Sequence, residues 1–184
     1  AGTVIVHPTE DDIEEHQALA RKQGSTLIAQ LKNVGELPPL TSDGVEISVM
    51  ANLELPGPTD DLLSVQRIPV GLYRTEFLYL ESARFPDEEQ QYEYYLRIAE
   101  KFADTTVVLR TFDLGADKVR SDSVMPQEDN PALGWRGIRM MLEMTDVFKT
   151  QIRAILRAST HKNLKILLPM ITDVSEVDKA CRLI

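Results

Sequence analysis

Four short segments of the chain are rich in apolar residues, and each lies between turn or charged residues. In the first, apolar side chains recur at every second position, which is typical of a β-strand with one buried face. The other three are short, mostly apolar runs, a length typical of buried strands. The predicted strands are Val45–Met50, Ile68–Tyr73, Thr106–Leu109 and Leu164–Leu168.

Segments with helical spacing separate these strands. Pro58–Gln66 and Glu88–Phe102 are predicted helices, and Thr145–Asp146 is predicted to cap a third. Asp173, with Glu176 three residues later, has the spacing of a capping box at the start of a last helix. Because strands and helices alternate without hairpins, the pattern predicts an α/β fold with a parallel sheet. Doubly wound and barrel folds are both consistent with it.

The first forty residues have a different character. Thr3–Val6 is a short strand-like run, and Thr9 with Asp12 has capping-box spacing at the start of a polar helix that we expect to reach about Asn33. Pro38–Pro39 then interrupts the helical pattern. We therefore predict a boundary near residue 40.

Composition narrows the class of protein. Hydrophobic residues make up 43% and charged residues 27% of the 184 residues, which is typical of a globular domain. The net charge of −9 argues against nucleic acid or an anionic membrane as the main partner. No apolar run has the length of a membrane span, and the single cysteine, Cys181, fits a cytoplasmic protein. Since the chain starts without methionine and stops within a helical pattern, we expect a piece of a longer protein.

Two arginines directly follow predicted strands. Arg74 comes after the second strand and Arg110 after the third. The carboxyl ends of parallel strands form the active face in such folds, so both side chains are expected at one mouth. Two guanidinium groups there suit a ligand carrying a phosphate and a carboxylate. The alternative is that both arginines only form structural ion pairs with Glu76 and Asp113.

The segments around these arginines resemble a known family. Gly71–Phe77 resembles the GLYRTEF signature of Enzyme I of the bacterial sugar phosphotransferase system, and Arg110–Lys118 is similar to its RTxDxGGDK motif. Asn130–Arg139 is similar to the family's NPxLGxRxIR, and Leu168–Ile171 to its FPMI strand end. The motifs occur in the family's order and extend the resemblance over about residues 45–184.

The resemblance implies a (β/α)8 TIM-type barrel of the kind found in enzymes that use phosphoenolpyruvate (PEP). Four strand–helix units are about half of such a barrel. We therefore expect residues 41–184 to be the N-terminal half of the PEP-binding barrel. Residues 1–40 are then the linker strand and helix that follow a missing phosphohistidine domain. An isolated half barrel exposes unpaired strand edges, so we expect it to self-associate or to be poorly stable.

The resemblance also implies a function. PEP binds with Mg2+, and its phosphate passes to a histidine on a missing domain and then to the carrier protein HPr. No catalytic residue and no metal ligand is expected in this stretch, because the family's metal carboxylates and catalytic cysteine lie beyond residue 184. The stretch alone is expected to be inactive, and the full protein to be a homodimer. The motif match assigns PEP binding to Arg74 and Arg110 and a supporting role to Arg136, Asp113, Lys118 and Asn130.

Two departures from the family pattern leave alternatives open. Ala116 stands where the family has a second glycine, and Pro69 lies in a predicted central strand, where it removes a hydrogen-bond donor. The alternatives are a barrel fragment of pyruvate phosphate dikinase or PEP synthase, a nitrogen-related paralogue of Enzyme I, and a degenerate, non-catalytic barrel module.

Overall fold

The computed structural model of the protein describes residues 5–19, 39–54, 57–82, 84–115, 130 and 133–184. The chain divides into two compact units, Ala1–Ser48 and Val49–Ile184.

The first unit contains a helix and a local turn. Residues 10–19 are helical (α1), and the predicted capping box is confirmed, since the Thr9 N–H donates to Asp12 Oδ2 at 2.9 Å and the Asp12 N–H to Thr9 Oγ1 at 3.3 Å. The predicted strand Thr3–Val6 is not confirmed at Ile5 and Val6, which lie outside any strand. Residues 3 and 4, and the expected helix end near Asn33, lie outside the described residues.

The second unit contains a four-stranded parallel sheet with the strand order β1-β2-β3-β4, which confirms the predicted α/β class with a parallel sheet. Its strands are β1 (Ala51–Leu53), β2 (Val70–Tyr73), β3 (Val107–Arg110) and β4 (Leu164–Leu167). The β3–β4 register is regular, from Val107 opposite Leu164 to Arg110 opposite Leu167.

The predicted strand Val45–Met50 is wrong, because the first strand of the sheet begins at Ala51. Glu46 instead forms an isolated antiparallel bridge with Leu40, and the Ile47 N–H donates to the Pro39 carbonyl at 2.7 Å. These local bonds occupy backbone groups that a parallel ladder would need. The alternating apolar side chains of this segment are exposed rather than buried.

Strand β2 begins one residue after Pro69. Proline has no N–H group to donate to a ladder, and the structure uses only its carbonyl, which accepts from the Ala51 N–H at 2.8 Å. The Val70 N–H then donates to the Thr106 carbonyl at 2.8 Å. A late start therefore reconciles Pro69 with an interior strand.

The helices of this unit confirm the predicted alternation and add two short elements. Asp87 and Gln90 form a capping box on α4, and Asp173 and Glu176 form the predicted one on α7. The prediction that Thr145–Asp146 caps α6 is wrong, since Met144 is the N-cap residue and makes no side-chain cap bond. The helices are α2 (Pro58–Val65), α3 (Phe77–Ser82), α4 (Glu88–Lys101), α5 (Ile138–Glu143), α6 (Thr145–Ala158) and α7 (Val174–Leu183).

Two clusters of buried side chains hold the sheet and helices together. The first joins β1, β2 and β3 to α2, α4 and α6 and includes the fully buried Tyr73 and Tyr95. The second joins the segment after β3 to α5, α6 and α7 through Phe112, Leu114 and Phe148. Burying each such side chain contributes roughly 1.5–3 kcal/mol. Because Phe112 and Leu114 are fully buried, they fix the position of Asp113 between them.

None of the helices in the described part of the chain combines the length and the apolar character needed to cross a membrane.

Candidate functional site

Arg110, the last residue of β3, lies between two carboxylates. Its Nη2 is 2.8 Å and its Nε 3.0 Å from Glu76 Oε1, and its Nη1 is 3.2 Å from Asp113 Oδ2. A guanidinium has five N–H groups, so these contacts leave two without a partner among the described residues. The Arg110 side chain is 20% exposed and therefore still accessible to a ligand.

Arg136 completes this group. Its Nε donates to Asp113 Oδ1 at 2.9 Å and its Nη2 to the Asp113 carbonyl at 3.3 Å, and its backbone forms an antiparallel bridge with Gly115. We call Glu76, Arg110, Asp113 and Arg136 the arginine–carboxylate cluster. It holds two positive and two negative charges, so the partly buried charges are balanced.

The local backbone holds the cluster in place across the ends of two strands. Glu76 Oε1 also accepts from the Asp113 N–H at 2.9 Å, and Thr75 Oγ1 donates to the Arg110 carbonyl at 2.8 Å. The segment after β2 is therefore bonded directly to the segment after β3. Hydrogen bonds to a charged carboxylate contribute about 1.5–3 kcal/mol each, so these links are among the stronger ones in the fold.

Gly137 permits the close approach of the Arg136 segment to the end of β4. Its φ of +58° lies in the left-handed region, which favours glycine. A Cβ atom there would lie 3.1 Å from the Pro169 carbonyl oxygen and 3.2 Å from Asp113 Oδ1. The next residue, Ile138, begins α5 and donates its N–H to the same Pro169 carbonyl at 3.1 Å.

Arg74 lies at the end of the neighbouring strand but has different partners. Its backbone N–H donates to the Leu53 carbonyl at 2.9 Å, and its Nη1 lies 3.4 Å from Glu54 Oε2. Its Nε is buried and has no hydrogen-bond partner among the described residues. A buried donor of this kind is costly to leave unpaired, so it is a candidate contact for a bound acceptor.

The structure thus joins three of the predicted site residues, Arg110, Asp113 and Arg136, in one cluster. Arg74 follows the adjacent strand with a separate ion pair. Asn130 is exposed, and its carbonyl accepts from the Leu133 N–H at 3.1 Å. Lys118 and Ala116 lie outside the described residues. The ion pairs of Arg110 with Glu76 and Asp113, considered as an alternative to ligand binding, are present.

One residue bonded to both strand-end segments was missed by the sequence reasoning. Gln151 is fully buried on α6 and bonds to the backbone of Phe112 and the side chain of Thr75. The available signal was a polar residue next to Ile152 on the apolar face of a strongly amphipathic helix.

The described residues include no group of three or more His, Cys, Asp or Glu side chains arranged to hold a metal ion. Both carboxylates of the arginine–carboxylate cluster are bonded to arginine. This donor set therefore does not fit a Mg2+ site.

Comparison with known proteins extends these observations. Residues 28–184 match the family model described as PEP-utilising enzyme, PEP-binding domain. The phosphoenolpyruvate-protein phosphotransferases of Listeria innocua and Bacillus subtilis are each 38% identical to this chain over 179 residues, and that of Latilactobacillus sakei is 39% identical. In each case the match covers 97% of this chain but only 31% of the relative.

The resemblance inferred from the four motifs is therefore confirmed. The family model covers most of the chain and includes every residue of the arginine–carboxylate cluster. The chain belongs to the family of PEP-utilising enzymes, as part of their PEP-binding domain.

Proposed function

We propose that this chain is the PEP-binding part of a phosphotransferase that moves phosphate from PEP to a histidine on another domain and then to HPr. The observation that carries the proposal is the position of Arg74 and Arg110 directly after adjacent parallel strands. The relatives named phosphoenolpyruvate-protein phosphotransferase support the same activity.

In this proposal both arginines bind PEP. Arg110 is oriented by Glu76 and Asp113, and its two remaining N–H groups face the ligand. The buried Nε of Arg74 gains the acceptor that it lacks among the described residues. Arginine suits this role because it keeps its charge at any working pH and binds two oxygens at once.

The other assigned residues support the two arginines. Arg136 neutralises Asp113, which leaves Arg110 with an excess of positive charge for the ligand. Lys118 and Asn130 receive supporting roles from the motif match alone.

The chemistry needs charge neutralisation more than a covalent contribution from these residues. The bond from phosphorus to the enol oxygen of PEP breaks as a bond to a histidine nitrogen forms, and the enolate of pyruvate leaves. Guanidinium groups that bind the phosphate and carboxylate hold PEP in line and offset its negative charge.

We also propose that Val49–Ile184 is the first half of a (β/α)8 barrel. Strand order that follows chain order supports a barrel, whereas doubly wound sheets reverse their order at a switch point. In the same proposal the whole protein is a cytoplasmic homodimer. Mg2+ ligands come from beyond residue 184, and no step described above depends on them.

Calorimetric titration of PEP into the chain tests the proposal. Arg74→Gln and Arg110→Lys each remove bidentate contacts and are expected to weaken binding about tenfold or more. Arg67→Gln is the matched control, because Arg67 precedes β2 at the opposite end of the strand and its ion pair with Asp104 is exposed. Circular dichroism checks that each variant is folded.

Activity is tested in a hybrid protein. This chain replaces the matching segment of the Bacillus subtilis relative, and transfer of labelled phosphate from PEP to HPr is measured. We expect transfer by the hybrid and its loss with Arg110→Lys. Equal PEP binding by the chain and by both arginine variants would contradict the proposed site, and a folded hybrid without transfer would favour a degenerate module.

A further inference from the structure

Gln151 of α6 is a fully buried polar residue whose amide is completely hydrogen-bonded. Its Oε1 accepts from the Phe112 N–H at 3.0 Å. Its Nε2 donates to Thr75 Oγ1 at 3.1 Å and to the Tyr95 hydroxyl at 3.0 Å. A reversed amide would place a donor against the Phe112 N–H, so the orientation is determined by its partners.

The neighbouring bonds give this network a single direction. The Tyr95 hydroxyl donates to Gln91 Oε1 at 3.2 Å, and Thr75 Oγ1 donates to the Arg110 carbonyl at 2.8 Å. Both hydroxyls therefore accept from Gln151. Burial raises the pKa of Tyr95, so its hydroxyl keeps the proton that it donates.

The network ends on the two segments that carry the candidate PEP-binding arginines. Thr75 lies between Arg74 and Glu76, and Phe112 lies between Thr111 and Asp113, two residues after Arg110. Gln151 is separated from them by 39 and 76 positions along the chain, so it joins α6 to both strand ends at once.

We propose that Gln151 is a positioning residue, which sets the placement of Arg74 and Arg110 through Thr75 and Phe112. The inference rests on the proposed function of those arginines. Packing alone does not explain an amide here, because an apolar residue of similar size would fill the space. It would also leave the Phe112 N–H buried without a partner.

Gln91 provides a matched control within the same network. It is equally buried, accepts from Tyr95 and donates from Nε2 to the Pro86 carbonyl at 2.9 Å, but bonds to neither strand end. Gln151→Met and Gln91→Met therefore delete similar amides from a buried site. Only the first is expected to move the arginines.

The first measurement needs no ligand. In 15N NMR spectra, the Nε–H signal of Arg110 reports its bond to Glu76. We expect it to shift or broaden in Gln151→Met and to stay unchanged in Gln91→Met. If Gln151→Met does not fold, Thr75→Val breaks the same link at the strand end. An unchanged Arg110 signal in the folded variant overturns the inference.

The second measurement separates this inference from the proposed function. PEP binding is expected to weaken about tenfold or more in Gln151→Met, as for other residues that orient a ligand-binding group, and to change less than about twofold in Gln91→Met. If the unaltered chain binds PEP and Gln151→Met binds it equally well, the positioning role is wrong and the proposed function stands. Failure of the unaltered chain to bind contradicts the PEP site, while the NMR result still decides the positioning role.

Discussion

Glu76 binds Arg110 through a single carboxylate oxygen, with Oε1 2.8 Å from Nη2 and 3.0 Å from Nε. The same oxygen accepts the Asp113 N–H. One side chain from the segment after β2 thus orients both an arginine and an acidic backbone segment at the end of β3. The cluster is consequently sensitive to the loss of Glu76.

Glu76→Ala should destabilise the fold by about 1–3 kcal/mol, because it leaves the Asp113 N–H and Arg110 without their shared acceptor. Glu54→Ala is the matched control. Its ion pair with Arg74 is 3.4 Å long and its side chain is 57% exposed, so it should cost less than about 1 kcal/mol. Urea denaturation of the two variants, followed by Trp135 fluorescence, measures the difference. Equal losses would mean that Glu76 does not organise the cluster.

Gly137→Ala should cost about 2 kcal/mol or more, since alanine is strained at a φ of +58° and its Cβ would press on the Pro169 carbonyl. Gly44→Ala tests backbone strain alone, because Gly44 has a φ of +85° but no atom within 4 Å of an added Cβ. We expect a loss of about 1 kcal/mol there. Thermal unfolding followed by circular dichroism ranks the two variants, and a larger loss for Gly44→Ala would contradict this account.

Asp60→Asn should stabilise the protein at neutral pH. Burial raises the pKa of Asp60, although Lys101 partly opposes the shift. The folded state therefore holds this proton at a pH where the unfolded chain has released it. The contribution of Asp60 to stability falls as pH rises above the ordinary value of about 4.

The measurement is the difference in unfolding free energy between Asp60→Asn and the unaltered chain across a pH series. We expect the advantage of the variant to be present at neutral pH and to vanish toward low pH. Asp61→Asn is the control, because Asp61 is 71% exposed and pairs with Lys101 at 2.7 Å. A gain for Asp61→Asn equal to that for Asp60→Asn would show that burial is not the cause.

Asp87→Ala should remove about 1 kcal/mol, since the Asp87 carboxylate accepts the Gln90 N–H at 2.9 Å at the start of α4. Asp87→Ser keeps an acceptor at this position and should restore most of the loss. For a chain of this length the expected change in Tm is about 2–4 °C. Calorimetric Tm values for the two variants decide the matter, and identical values would exclude a capping role.

Sequence pattern was most informative where one structural period extends far enough to be recognised. The strands before Arg74 and Arg110 were located to within a few residues, and so were α4 and the capping box of α7. The six-residue helices α3 and α5 were missed, because fewer than two turns do not establish a helical period. Val45–Met50 shows the opposite error, since its alternation is real but local backbone bonds prevent pairing.

The site was only partly predictable for a related reason. Position after a strand identified Arg74 and Arg110 as neighbours at one edge of the sheet. Which carboxylate each would contact depends on distances between residues far apart in the chain, as in the pairing of Arg110 with Glu76. The role of Gln151 was even less accessible, because its partners lie on two other segments.

The order β1-β2-β3-β4 has a consequence for biosynthesis. Each new strand that leaves the ribosome finds its partner already made, and the intervening helix has time to cover the preceding edge. No strand must wait for a later one to fill a gap beside it. The sheet is therefore suited to grow from its first strand in the direction of translation, by closing one loop at a time.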